Sequence, residues 1–184
     1  MAGPYKMVDK YYKEPRKRMR LEGYDYSLDG VYFVTICTHG RAHYFGHRAV
    51  SDMVYKIWNM MPERYDGPRL DEFIVMPNHV HGIIQIVGAD RRVGPCDNPD
   101  LSRLMQWFKA LTTNSYLVGV KERGWQSLTG KLWQRGFHDR IIRTEDELNI
   151  LRKYILDNPE NWDNDPDNPV NVNSGPAQTL RRQA

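Results

Sequence analysis

A pair of strand-like runs joined by a tight turn constrains the fold of this chain more than any other feature. Leu70–Met76 and Val80–Val87 are rich in β-branched and aromatic residues, as buried strands usually are. Pro77 and Asn78 lie between them, and both residue types favour tight turns. The sequence therefore predicts a β-hairpin in the middle of the chain.

The segments on either side of this hairpin alternate between strand and helix patterns. In chain order they are a strand at Val31–Thr38, a helix at Val50–Tyr65, a helix at Leu101–Val120, a strand at Trp133–Arg143 and a helix from about Thr144 to Asp157. The first six elements predict an α+β fold of the ferredoxin-like split βαβ type, an antiparallel sheet with helices on one face. The last helix is an addition at the carboxyl end.

Local signals predict where the helices and the folded domain begin and end. We expect Ser51 to cap the first helix and Pro62 to end it early. Thr144 opens the last helix in the manner of a capping box. Residues 1–25 are expected to form a basic mobile arm, residues 26–162 the folded domain and residues 163–184 a polar tail, with a loop at 88–99.

Composition excludes several classes of protein. The apolar runs in the 184 residues are short, whereas a membrane span needs about 20 apolar residues. No apolar stretch follows the basic amino terminus, so we expect no secretory signal and no membrane partner. Only two cysteines occur, without paired spacing, which argues against a disulfide framework or a thiolate zinc site. A reducing cytoplasm is the expected location.

The positive charge is concentrated in two stretches, although the net charge is only +3. Such stretches suit a polyanion, because each phosphate contact releases a counterion; a solvated surface is the plainer reading of charge alone. The basic residues expected to contact DNA are Arg16, Lys17, Arg18 and Arg20 in the arm and Arg135, Arg140 and Arg143 near the fourth strand.

A His-x-His pair, His79 and His81, begins the third strand. Side chains alternate across a strand, so both imidazoles point to one face. Two neutral imidazoles can hold one divalent ion if a third ligand comes from elsewhere. By itself, a His-x-His pair is more often two histidines bonded to solvent or backbone.

The last helix offers complementary chemistry. Tyr154 and Asn158 are four residues apart, so they share one helical face beside the apolar stripe that should pack on the sheet. A phenol there can reach a phosphate, and the amide oxygen of Asn158 can reach a metal. A divalent ion would polarise the phosphate for a phenol whose pKa is otherwise about 10. A half-buried tyrosine at a helix edge is the alternative reading.

Three sequence blocks resemble the HUH single-tyrosine transposases, in particular the REP-associated tyrosine transposases. The first block is Met76-Pro77-Asn78-His79-Val80-His81-Gly82-Ile83, which is similar to the family signature. The second runs from Trp133 to Arg143, and the third from Arg152 to Pro159. The blocks follow family order between about Tyr32 and Trp162, so the resemblance covers most of the chain.

The resemblance implies cleavage and transfer of single-stranded DNA at hairpins formed by palindromic repeats, through a 5′-phosphotyrosine intermediate. It implies Tyr154 as the nucleophile and Mg²⁺ or Mn²⁺ held by His79, His81 and Asn158. Family members include monomers and homodimers, and the basic arm resembles one that holds the foot of the hairpin. His138 and Asp139 are candidates for orienting a ligand or contacting DNA, although a structural role is more common for such a pair.

Two other functions fit parts of the sequence. One is a DNA-hairpin binding protein without catalysis, although a pure binder has no need of two histidines and a tyrosine together. The other is an HUH nuclease of plasmid replication or mobilisation. Those chains are usually longer and often carry a second domain or a tyrosine pair, which this sequence lacks.

Overall fold

The computed structural model describes residues 29–87 and 99–165, together with Asn168 and Asn171. The four strands are β1 (Gly30–Cys37), β2 (Pro68–Met76), β3 (His79–Ile86) and β4 (His138–Ile142). The helices are α1 (Arg48–Asn59), α2 (Met61–Arg64), α3 (Leu101–Arg123) and α4 (Glu145–Asp157), with 3₁₀ turns at His39–Arg41 and Pro159–Asn164. The basic arm and most of the 88–99 loop lie outside the described residues.

The strands form one antiparallel sheet in the order β2-β3-β1-β4. β2 and β3 form the predicted hairpin, and β3 lies between β2 and β1. A strand–helix–strand unit with another strand inserted between its two strands is the split βαβ arrangement. The α+β, ferredoxin-like prediction is confirmed.

The larger apolar core lies between the sheet and the helices α1 and α3. The sheet contributes Val34 and Ile36 from β1 with Val80 and Ile84 from β3, and all four are buried. Trp58 of α1 stacks on Phe73 at a ring-centroid distance of 4.1 Å. Gly82 makes this contact possible, because a Cβ there would lie 2.6 Å from the Trp58 ring. The motif glycine is thus required by packing.

The opposite face of the sheet is covered by α4. Phe33 and Ile83 point to this side and pack with Leu148, Leu151 and Ile155, which confirms that the last helix is an addition to the six-element fold. Thr144 caps α4 by accepting a hydrogen bond from the backbone N–H of Glu147 at 3.2 Å. The helix ends at Asp157, and Pro159 follows the C-cap residue Asn158, as expected where a helix stops before a proline.

Several predicted boundaries were wrong. α1 starts two residues before Val50, and its N-cap is His47 rather than Ser51. The helix ends at Asn59. Pro62 instead lies in the first turn of the separate short helix α2, where the backbone N–H that proline lacks would have no partner within the helix. β4 begins at His138 rather than Trp133.

The late start of β4 has a long-range cause. The Lys109 ammonium of α3 donates to the carbonyls of Gln134, Arg135 and Gly136 at 2.5, 3.1 and 3.2 Å. Carbonyls turned toward this cation are not available to a strand ladder, so residues 134–136 form a loop. Trp133 makes one isolated bridge to Thr38, the residue that follows β1. Within the described residues, none of the helices combines the length and apolarity that crossing a membrane requires.

Candidate active site

The two motif histidines lie two residues apart on β3, on the face of the sheet that α4 covers. His79 is opposite Cys37 and His81 is opposite Thr35 on β1. Neither histidine has any exposed surface, and their ring centroids are 4.5 Å apart. The central strands β1 and β3 therefore hold both imidazoles in a fixed, water-poor position, on one face as the alternation of the strand predicts.

Hydrogen bonds to the two Nδ1 atoms orient both rings. The Asn78 Oδ1 lies 2.8 Å from Nδ1 of His79, and the Thr35 hydroxyl lies 2.8 Å from Nδ1 of His81. An amide oxygen only accepts, so Nδ1 of His79 carries the proton and its Nε2 keeps a lone pair. The Nε2 atoms of the two rings are therefore the nitrogens available to a metal ion or a substrate. Thr35 and Asn78 are the outer partners that metal-binding histidines usually have.

His79 is neutral at physiological pH. Burial is the main reason that its pKa falls from 6.5 to about 3, and the positive charge of Arg41 lowers it further. Its Nε2 is buried and makes no hydrogen bond to another described residue. A buried, neutral imidazole with an unused lone pair is the form of histidine that binds a metal.

The packing of α4 brings Tyr154 to the histidines. The tyrosine hydroxyl lies 3.4 Å from Nε2 of His81, and the two ring centroids are 5.3 Å apart. Phe33 contacts both rings, stacked on His81 and edge-on to Tyr154. Only 3% of Tyr154 is exposed. The predicted nucleophile and one predicted metal ligand therefore meet within a single chain.

An ion pair fixes the orientation of α4 on the edge strand β2. Arg152 donates to both carboxylate oxygens of Asp71, at distances of 2.6 to 3.2 Å. Arg152 also contacts Glu145 and Asn149 of its own helix. The Arg152 guanidinium, by hydrogen bonding, is the largest cause of a lowered pKa of Asp71. Arg152 stands two residues before Tyr154 on the same helix. The Arg152–Asp71 ion pair therefore helps to hold the tyrosine in position.

Asn158 lies one turn beyond Tyr154, at the end of α4. It has no exposed surface, and neither its amide nitrogen nor its amide oxygen hydrogen bonds to another described residue. An unpaired buried amide costs about 1–3 kcal/mol, and coordination of a metal by the oxygen would offset part of that cost. These observations fit the predicted role of Asn158 as a ligand.

Sequence reasoning missed Asp165. We expected residues 163–184 to be a polar tail, yet Asp163 and Asn164 belong to a 3₁₀ turn and Asp165 is 1% exposed. Its Oδ2 lies 3.8 Å from Nε2 of His79. A carboxylate at this position favours the protonated imidazole and so raises its pKa. The distance of 3.8 Å is too long for a hydrogen bond, so burial has the larger effect and His79 stays neutral.

Together, His79, His81 and Asp165 form a cluster suited to a metal. One ligand atom from each residue lies within 4.8 Å of the others, and all three residues are buried. Imidazole nitrogens bind divalent transition metals, and a carboxylate oxygen also suits harder ions such as Mg²⁺ and Mn²⁺. The donor set therefore fits a divalent metal ion.

The other predicted site residues lie around this centre rather than in it. On β4, His138 is opposite Thr35 and Asp139 is opposite Val34, so His138 shares the site's face and Asp139 points to the other. His138 is exposed. Arg140 pairs with Glu147, whereas Arg135 and Arg143 are exposed. The arm residues Arg16, Lys17, Arg18 and Arg20 lie outside the described residues.

Comparisons with known proteins identify the class. The family described as "Transposase IS200 like" matches residues 28–158, a segment that contains both histidines, Tyr154 and Asn158. An uncharacterized protein of Haemophilus influenzae Rd is 31% identical over 168 residues, which cover 82% of this chain and 91% of the relative. The protein is thus a transposase by class. The chain belongs to the IS200-like transposase family.

A solved structure supports the same fold. The REP-associated tyrosine transposase bound to a REP hairpin superimposes with a TM-score of 0.53 and 18% sequence identity. The match covers 78% of this chain and 74% of the other. At this identity the likeness shows the shared fold.

Proposed function

We propose that this protein cleaves and rejoins single-stranded DNA at hairpins formed by palindromic repeats, through a 5′-phosphotyrosine intermediate. The observation that carries the proposal is the contact between the Tyr154 hydroxyl and Nε2 of His81, at 3.4 Å in a buried centre. A tyrosine oxygen can form a covalent intermediate with a phosphoryl group, and a metal ion held by the adjacent histidine pair would assist the transfer. Transposition and the processing of repeats both use this reaction.

In the proposed reaction the Tyr154 oxygen attacks the scissile phosphorus. The phenol loses its proton as its oxygen bonds to the 5′-phosphate. The bond to the 3′ oxygen breaks, and that oxygen takes one proton and leaves as a free 3′-hydroxyl, so the step is balanced in protons. The phosphotyrosine ester conserves the bond energy, so attack by a 3′-hydroxyl reverses the step and joins strands without another energy source. Tyr154 is regenerated at each rejoining.

A divalent ion, Mg²⁺ or Mn²⁺, would be held by His79 and His81 with Asn158 as the third ligand. When bound, it supplies Lewis-acid polarisation of the phosphate and stabilises the charge that develops. The chain's own residues keep the site ready: Asn78 and Thr35 fix the histidine rings. Burial keeps water away from the phosphoester and strengthens the electrostatic interactions within the site.

The proposed partner is a single-stranded DNA hairpin. Arg135 and Arg143 are exposed and, with the basic arm, would contact phosphates. Arg140 forms an ion pair with Glu147, so it would attract a phosphate less strongly. We expect hairpin affinity to fall steeply with salt, because phosphate contacts release counterions. Tyr154 and His81 of the same chain lie 3.4 Å apart, and we propose that each site is completed within one chain, whether the protein is a monomer or a homodimer.

The test is formation of a covalent protein–DNA adduct. Labelled hairpin oligonucleotides, drawn from palindromes near the protein's own gene, are incubated with the protein and Mn²⁺ and then run on denaturing gels. We expect a shifted, protease-sensitive band that disappears in Tyr154→Phe, with hairpin affinity nearly unchanged because only the reactive oxygen is lost.

Tyr65→Phe is the matched control. Tyr65 is 7% exposed and packs in the core on the other side of the sheet, so its loss of a hydroxyl should leave the band intact. Tight binding without any covalent band in the wild-type protein would replace this proposal with the hairpin-binding function. Loss of hairpin binding in Tyr154→Phe would contradict the assignment, because a residue that acts solely as the nucleophile should not contribute to binding.

A further inference from the structure

Asp165 reaches the histidine pair from a segment that the strand and helix patterns do not include. It directly follows the 3₁₀ turn Pro159–Asn164. Its Oδ2 lies 3.8 Å from Nε2 of His79, and the side chain is 1% exposed. A carboxylate at this depth stands among the site residues rather than on the surface, so its position calls for a chemical explanation.

Hydrogen bonds on both sides of Asp165 fix its backbone. Its N–H donates to the carbonyl of Trp162 at 3.1 Å, and its own carbonyl accepts from the N–H of Asn168 at 3.0 Å. The side chains of Asn168 and Asn171 also donate, to the carbonyls of Trp162 and Asp165 respectively. The Trp162 ring lies 6.0 Å from the His79 ring. The carboxylate is therefore positioned by a folded segment that packs on the site.

We propose that Asp165 is a direct ligand of the divalent metal, bound together with His79 and His81. This inference rests on the metal site of the proposed function. The three ligand atoms lie within 4.8 Å of one another, so small side-chain movements can bring them to one ion. Two neutral imidazoles give no charge to balance a divalent cation, whereas a carboxylate supplies one negative charge and a hard oxygen.

The carboxylate and Asn158 are compatible in one ligand set. Mg²⁺ and Mn²⁺ prefer six ligands in an octahedral arrangement. Four protein ligands would leave two positions open, enough for phosphate oxygens of DNA. Asn158 contributes a neutral amide oxygen, so Asp165 is expected to provide more of the metal affinity in the absence of DNA.

Metal binding without DNA tests this directly. The full-length protein is titrated with MnCl₂ in a calorimeter, with no DNA present. We expect Asp165→Asn, which keeps the shape and removes the charge, to weaken Mn²⁺ affinity at least about 10-fold. His79→Ala should weaken it at least as much. Asp163→Asn is the matched control, because Asp163 is an exposed acid in the same turn, and its affinity should equal that of the wild type.

A second variant tests for direct coordination. Asp165→Cys places a thiolate at the same position, and Cd²⁺ prefers such soft ligands. Cd²⁺ should then produce the ultraviolet charge-transfer absorption of a cadmium–thiolate bond. The wild-type protein, which has its own Cys37 and Cys96, gives the background. This signal would report coordination even if Asp165→Asn were poorly folded.

The outcomes separate this inference from the proposed function. Wild-type Mn²⁺ affinity in a folded Asp165→Asn, with no cadmium–thiolate absorption in Asp165→Cys, would overturn the role of Asp165 and leave the proposed cleavage reaction standing. Asp165-dependent Mn²⁺ binding with no covalent DNA adduct in the wild type would instead keep the ligand and remove the reaction. Mn²⁺ binding that depends on Asp165, together with a covalent DNA adduct that depends on Tyr154, supports both proposals.

Discussion

The two faces of the sheet serve different purposes. The face covered by α1 and α3 buries a broad cluster of aromatic and aliphatic side chains, including Trp58, Phe73 and Phe108. The face covered by α4 has a smaller apolar cluster around Phe33 and Ile83. That smaller face also holds the buried polar side chains of His79, His81 and Thr35, and the buried carboxylate of Asp165 lies 3.8 Å from His79.

The same two central strands build both faces. On β1, Val34 and Ile36 pack in the larger core, whereas Phe33 and Thr35 contact the site. Burying polar groups without full pairing costs free energy, so the site weakens the face on which it lies. The apolar packing on the other face offsets that cost. Stability and chemistry are thus separated by the alternation of side chains along two strands.

The largest expected effect comes from removing the histidine pair. We expect His79→Ala combined with His81→Ala to reduce covalent DNA cleavage by on the order of 1,000-fold, because metal-assisted charge stabilisation amounts to several kcal/mol. Hairpin affinity should change little, since phosphate contacts by basic residues dominate it. Denaturing gels and binding assays on the same oligonucleotide measure the two quantities.

His47→Asn controls for the loss of an imidazole. His47 is exposed and caps α1, and asparagine is also a good N-cap. Cleavage in this variant should match the wild type. If the double alanine variant lost hairpin binding as strongly as cleavage, the assignment of chemistry to the α4 face would be wrong.

The second effect is on stability and comes from the opposite face. Phe108→Ala should lower the free energy of unfolding by about 3–5 kcal/mol, because Phe108 is fully buried among aromatic rings and the change leaves a cavity. Leu151→Ala, on the α4 face, should cost about 2–3 kcal/mol. Urea unfolding measures both. A larger loss for Leu151→Ala would reverse the comparison between the faces.

Much of this architecture was predictable because its signals are local. The hairpin around Pro77 and Asn78, the strand alternation of His79 and His81, and the cap at Thr144 each depend on a few adjacent residues. These signals place the two histidines on one face, which the structure confirms. They also predicted that α4 would pack on the sheet, although periodicity did not say which face it would cover.

The features that escaped prediction depend on contacts between distant residues. β4 starts late because Lys109, on α3, binds the carbonyls of residues 134–136. Asp165 lies among asparagines, aspartates and prolines with no periodic pattern, and this composition is typical of a tail. Its acid side chain was visible in the sequence, but its distance from His79 was not.

The smallest expected effect concerns how α4 is held on its face. Asp71→Asn should destabilise the protein by about 1 kcal/mol near neutral pH, since the pair with Arg152 is partly exposed and screened by solvent. The folded-state pKa of Asp71 is below its ordinary 3.8, so the carboxylate contributes its full stabilisation above that pH. The contribution is lost as pH falls through the lowered pKa.

Urea unfolding of the wild type and Asp71→Asn across this range of pH checks the prediction, with the two curves converging in acid. Asp52→Asn is the control on the other face, because the Arg48–Asp52 pair on α1 is far more exposed and should contribute at most a few tenths of a kcal/mol. A gap between wild type and Asp71→Asn that persisted in acid would show that Asp71 acts through packing or its hydrogen bonds rather than its charge. An equal effect of Asp52→Asn would mean that an exposed ion pair within α1 stabilises the protein as much as the pair that links α4 to β2, and the ion pair would then not distinguish the two faces.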